Sequence, residues 1–468
     1  MTRSTWAFWA GGTRRRGAVV AYGIVCALFG AQGLVFAQSE TEAEAVDDRS
    51  ETEQWRDILR FGINSQIVEL MPTLTDSRAE ELLPEVLDLI NSSNNSAVLG
   101  AAFDFLLAVE SDAGAARAVE LTEDYLNRST DLVAASMRYL RERAVAIEPE
   151  TRETLQEIAE RQPVPRAITA LQLLARGGAT IDELVELYRS GDLAEDVRAQ
   201  IILELGERGD PAAFDFVSEL IDEGDFANTT EQRYAIDTLG KLGDERALPI
   251  ILRQFDSSDA LTRAYAASAL TQFDSNQANR ALEAALRDEF WRVRVSALQA
   301  IGERRYTDAL DAVVFKLRSD PEAPVRLAAV ESLADLGTRR AWGALIERLE
   351  SDRTPIAERT AIIRRLVAEN PGGAEATLRE LVLAEWDDNE SRILDAVGRA
   401  IADQERASLA RPLSELLLGH PHFILQIYAV RAIGRHRIGT LRGEVEARTG
   451  EGYHPALRSA ARRSLELL

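Results

Sequence analysis

The sequence predicts an all-α protein, an α-solenoid of stacked helical hairpins, on three observations. The first is the stretch Ala323–Glu350, APVRLAAVESLADLGTRRAWGALIERLE. Val325, Ala329, Val330, Leu333 and Leu336 fall on one helical stripe, Gly337 ends that helix, and Trp342, Leu345 and Leu349 form a second stripe. The second is recurrence. An arginine follows the first apolar residue of each unit at Arg166, Arg198, Arg233, Arg263, Arg294, Arg326, Arg359 and Arg392, then Gln426 stands in its place, then Arg458, in steps of 30 to 35 residues. The third is the acidic residue in the preceding loop, since Asp256, Asp288, Asp320 and Asp352 are each 32 apart. A two-helix unit cannot bury both its faces alone, so copies must stack. About 12 or 13 hairpins, each adding ~9 Å, predict a right-handed array on the order of 100 Å long.

Taken in order, residues 1–37 read as an export signal: Arg14–Arg16 precede an uncharged run from Gly17 to Ala37. Val35 and Ala37 suit a signal peptidase cutting between Ala37 and Gln38. The alternative is an uncleaved anchor, because 21 uncharged residues suffice to span a bilayer with the arginines inside. Cys26 is the only cysteine, so the exported part needs no disulfide and has no thiol chemistry. Residues 38–54, QSETEAEAVDDRSETEQ, carry seven acids against one arginine and read as a disordered, self-repelling spacer.

Residues 55–160 read as degenerate N-terminal repeats. Trp55, Ile58 and Leu59, then Leu82, Leu83, Val86, Leu87 and Ile90, lie at helical spacing without the full signature. Residues 161–468 form the clear array. Asp210, Asp244 and Asp308 stand where the second helix of a unit needs an N-cap, and Gly209 and Gly243 where the first must turn left-handed to end.

Two of these first helices, VRVSALQAIGERR (293–305) and VRLAAVESLADLG (325–337), resemble HEAT repeats, in the short form also found in HEAT-like proteins of the phycobilisome-lyase type. The resemblance covers Pro165–Leu468 clearly and Ser96–Glu160 loosely. It implies a repeat scaffold whose long helix-lined surface holds another protein. It also implies a rival, a carrier or lyase-like enzyme with a small-molecule pocket between repeats. The His-Glu pairs of the HEAT-like deoxyhypusine hydroxylases are missing from the sequence.

No Gly-rich phosphate loop, nucleophile elbow or His-Glu-x-x-His occurs, so no catalytic residue, cofactor or metal ligand is assigned and an enzyme is not expected. The four histidines include one close pair, His420 and His422, with no recognisable third ligand. The net charge of −23 disfavours nucleic acid and anionic membranes. That charge is uneven: from Ser391 onward 12 arginines outnumber 8 acids, leaving −31 on residues 38–390. Arg431, Arg435, His436, Arg437 and Arg442 lie within twelve residues with no acid among them and are a candidate anion-binding patch, the alternative being that the acidic neighbouring repeat, or Glu444 and Glu446, pairs with them internally. The repeated arginines read differently, as a structural ladder bridging to the acidic loops. These readings combine into an exported, non-enzymatic scaffold of the bacterial periplasm or envelope with a protein partner.

Overall fold

Hydrophobic periodicity close to 3.6 along nearly the whole chain resolves into helices separated by short turns. The computed structural model describes residues 50–190, 193–224, 226–369 and 371–468; the export signal, the Ala37–Gln38 cleavage point and most of the acidic spacer lie outside the described residues. Among the described residues there are twenty-six α-helices and no strand.

The chain starts with α1 (Glu51–Phe61), α2 (Asn64–Ser77), α3 (Leu83–Ser92), α4 (Ser96–Ala108), α5 (Ala115–Glu123), α6 (Thr130–Glu142) and α7 (Pro149–Arg161). It continues through α8 (Val164–Arg176), α9 (Ile181–Arg189), α10 (Glu195–Arg208), α11 (Phe214–Glu223), α12 (Thr229–Leu242), α13 (Leu248–Arg253), α14 (Ala260–Ala269) and α15 (Asn276–Ala285). Next come α16 (Trp291–Glu303), α17 (Leu310–Ser319), α18 (Ala323–Leu336), α19 (Arg339–Glu350), α20 (Ile356–Glu369) and α21 (Ala374–Ala384). The last are α22 (Arg392–Asp403), α23 (Ala410–Leu418), α24 (Phe423–Arg435), α25 (Arg442–Ala447) and α26 (Pro455–Leu465). From α2 to α26 every even-numbered helix packs on the next even-numbered one. The odd-numbered helices form a second layer beside them, which is the two-layer stack of an α-solenoid.

Small residues allow the even helices to approach closely. A Cβ on Gly240 would lie 2.7 Å from Ala269, and one on Gly302 would lie 2.9 Å from Ser332, so a side chain at either position would force the layers apart. The unit at 323–350 forms as the sequence predicts. Val325, Ala329, Val330, Leu333 and Leu345 are fully buried, Gly337 ends α18 at φ +64°, and the Thr338 hydroxyl caps α19 by accepting from the Ala341 N–H.

Two expectations need correction. Four residues given to the spacer, 51–54, are helical: the first turn of α1 is acidic, which suits a helix N-terminus, and Leu59 is buried. Arg56 and Arg60 then tie α1 to Glu85 of α3, at 2.9 and 2.8 Å. Second, Asp210 and Asp244 cap as expected, accepting from Ala212 and Arg246 N–H, but Asp308 does not. The left-handed residue there is Arg305, φ +51°, so the chain turns early and Tyr306 takes the capping place. Asp308 then falls inside a short 3-10 turn.

Candidate interaction surface

The repeated arginines do form a ladder between successive layers. Arg263 of α14 places two N–H groups on Asp288, at 2.7 and 2.9 Å, and a third on the Ser257 carbonyl of its own loop. Arg294 repeats this with Asp320, at 2.9 and 2.8 Å, and with the Asp288 carbonyl, and both side chains of that pair are buried. Arg326 reaches Glu358 at 2.7 Å, Arg233 reaches Asp259 at 2.9 Å, and Arg198 reaches Glu231 at 3.1 Å. Of the four evenly spaced loop acids, Asp288 and Asp320 hold rungs, whereas Asp259 and Glu358 replace Asp256 and Asp352. Arg263, Arg294 and Arg326 thus lock their own loops to the next layer, whereas Arg198 and Arg233 bridge the layers without a bond to the loop, and Arg166 donates to Gln162 of its own segment in place of a rung.

The ladder stops after Glu358. The Nε of Arg359 is buried without a hydrogen-bond partner. Arg392, counted with the others on spacing, is out of register. The buried stripe of α22 runs Ile393, Val397, Ile401, matching Leu425, Ala429, Ile433 in α24, so the rung position next to the first of these is Leu394. Arg392 is instead the exposed first residue of α22. In α24 the rung residue Gln426 donates to the His420 carbonyl and accepts from Arg448.

Where the ladder stops, the even-helix face opens. A cavity of about 540 Å³ lies between α20 and α22, walled by Ile356, Thr360 and Arg364 on one side and by Arg392, Asp395, Ala396, Arg399, Ala400 and Asp403 on the other, with Gln404 at its end. A hollow of about 270 Å³ between the starts of α22 and α24 shares Arg392 and Asp395 with it and adds Asn389, Glu390, His422 and Ile424. The wide depression at Pro371–Leu383 is lined by α21 and the turn before it, so it lacks a second helical wall.

The basic cluster is largely engaged. Arg431 pairs with Asp403 at 3.0 Å, Arg442 with Glu446 at 3.0 Å, and the His436 Nε2 lies 2.9 Å from the Ile401 carbonyl. Arg435 and Arg437 are exposed. His420 is buried with Nε2 at 2.8 Å from the Trp386 carbonyl, and its Nδ1 accepts from the His422 N–H, so both ring nitrogens serve the fold. Among the described residues no group of three or more His, Cys, Asp or Glu is placed to hold a metal, and no helix is long and apolar enough to cross a membrane.

A profile of the spirochaete HEAT repeat protein family matches residues 59–464. The chain belongs to this family. The match reaches well N-terminal of Ser96, into the degenerate first layers. No curated protein sequence matches the chain. Among solved structures it is similar to Kap121p, with 13% identity and TM-score 0.42 over 88% of this chain and 52% of that one. Kap95p, in a structure concerning its binding to RanGDP, is 13% identical with TM-score 0.46, over 87% of this chain and 68% of that one. The CpcE–CpcF complex of phycocyanin lyase from Nostoc sp. PCC7120 is 17% identical with TM-score 0.32, over 62% of this chain and 96% of that one. This HEAT array spans about half the length of the Kap121p chain. These likenesses are of fold alone.

Proposed function

We propose that this HEAT protein is an exported, non-enzymatic scaffold that holds another protein on the exposed face of its even-numbered helices. The observation that carries the reading is that face itself: an unbroken row of helices from α2 to α26 with an open groove at α20–α22. Stacked repeats offer such extended surfaces, and grooves between helices suit protein segments. The exported location rests on Arg14–Arg16, the uncharged run to Ala37 and the Ala37–Gln38 junction. It places the array in the periplasm or envelope, freed by cleavage or held by the uncleaved segment. Affinity capture from envelope extract tests both parts. The scaffold reading expects a stoichiometric protein on a bait whose mature N-terminus is Gln38. A bait recovered alone from the cytosol with residues 1–37 attached contradicts it.

The rival, a carrier or lyase-like enzyme, is favoured by one observation: 540 Å³ lies within the range of small-molecule sites. A small molecule co-purifying in place of a protein decides for it.

A further inference from the structure

We infer that the groove between α20 and α22 receives a short acidic segment of the partner protein, with a carboxylate held at Arg392 and aliphatic side chains laid on Ala396 and Ala400. The inference rests on the scaffold reading and specifies its partner.

The charge pattern carries it. Asp395 accepts from the Arg399 Nε at 2.8 Å and from the Tyr428 hydroxyl at 2.7 Å. Asp403 is paired with Arg431, and Arg364 with Glu331. Arg392 makes no ion pair among the described residues, is exposed, and lines both hollows at the point where they join. Of the acids lining them, Glu390 alone is also without an ion pair, and it is exposed to solvent. The His422 ring stands across the smaller hollow with no side-chain hydrogen bond of its own. A guanidinium fork matches one carboxylate in two-point geometry. Everywhere from Arg198 to Arg326 this fold gives such an arginine a carboxylate from the next layer. In α22 and the loop before α24, Leu394 and His420 stand at those positions instead.

The floor sets the rest. Ala396 and Ala400, one turn apart on α22, face Thr360 on α20, so short side chains leave room for larger ones from outside. Ile424 adds an apolar edge and is 40% exposed. From Arg392 to Gln404 the helix runs on the order of 18 Å, which about five or six extended residues span. A single unpaired cation, with Asp395 and Asp403 already paired and Glu390 turned to solvent, suits one acidic side chain, and the surrounding negative charge repels a polyphosphate.

Selection of a random twelve-residue peptide display library on the full chain tests this. The expected peptides carry Asp or Glu next to Leu, Ile, Val or Met. They lose at least tenfold in affinity to Arg392→Glu and to Thr360→Trp, which blocks the groove from an exposed position, and keep it in Arg280→Glu, an exposed charge control on α15 outside both the groove and the basic cluster. Thermal melts of all three variants establish that the fold is kept. Peptides without acids, peptides indifferent to Arg392→Glu, no selected peptide, or a fatty acid extracted from the groove would each overturn the inference. The scaffold reading survives those results wherever capture still yields a stoichiometric protein, so the two failures are distinguishable.

Discussion

Removing the carboxylate of one ladder rung gives the sharpest energetic test of how the layers are joined. In Asp320→Ala the Arg294 guanidinium keeps only the Asp288 and Glu289 carbonyls, on Nη1, and loses the bonds from Nε and Nη2 at 2.9 and 2.8 Å. The same change strips the Lys316 ammonium and the Glu322 N–H of their acceptor, at 3.2 and 3.1 Å. The two side chains are 8% and 1% exposed, so a buried charge is left unpaired. Breaking such a pair costs about 3–5 kcal/mol. The pair Arg340–Asp311 also joins two layers, but its side chains are 72% and 80% exposed, and pairs of that kind contribute below about 1 kcal/mol. Arrays of repeats need not unfold in one step, so the readout is hydrogen exchange of α16–α18 amides alongside urea unfolding. Asp320→Ala should accelerate exchange there by two orders of magnitude or more, Asp311→Ala by less than about tenfold at its own helices, following RT ln 10 of about 1.4 kcal/mol per decade. Adding Arg294→Met to Asp320→Ala should recover part of the loss. Equal effects of the two single variants would refute the ladder as the main polar tie.

Leu333→Asp puts a charge on the fully buried stripe of α18 and should cost about 3 kcal/mol or more, with limited proteolysis cutting first inside 323–350; first cuts near Ser96 or His454 would refute that register. The ladder also predicts acid sensitivity. Hydrogen bonds from Arg263 hold Asp288 below the usual carboxylate range against burial; for Asp320 burial pushes upward but is outweighed by the bonds from Arg294 and the Glu322 N–H. A lowered folded pKa means this stability is present above the unfolded value of about 4 and is lost as pH falls through the folded values. Melts from pH 7 to pH 2 should be flat in this contribution until about pH 4 and then fall, and Asp320→Ala should flatten that fall. At the basic cluster, binding of poly-glutamate should weaken with salt and vanish in Arg435→Glu, Arg437→Glu; binding untouched by that double variant leaves these arginines no ligand role.

The stack was legible because its signal is periodic: the buried stripe of α18 could be read directly, and the arginines could be counted. Their acceptors were not legible, because the carboxylate arrives from three backbone positions. Asp288 and Asp320 lie six residues before the next arginine, Asp259 is an N-cap, and Glu231 and Glu358 are the third residues of their helices. All reach the same point in space, which spacing along the chain does not encode. The misplacement of Arg392 has the same origin, since steps of 30 to 35 residues absorb a two-residue shift that moves a side chain by more than half a turn of helix. Nor was the groove visible, because Thr360 and Ala396 become neighbours only through packing of layers some 36 residues apart.

Photo-crosslinking residues placed singly at exposed positions of the two layers test the scaffold account most directly. Thr360, Arg399 and Ile424 sample the even helices, Phe315 and Leu383 the odd ones. The account predicts one protein adduct, of the same mass at the even positions and missing at the odd ones. Adducts confined to Phe315 and Leu383, or none at any of the five, would contradict it.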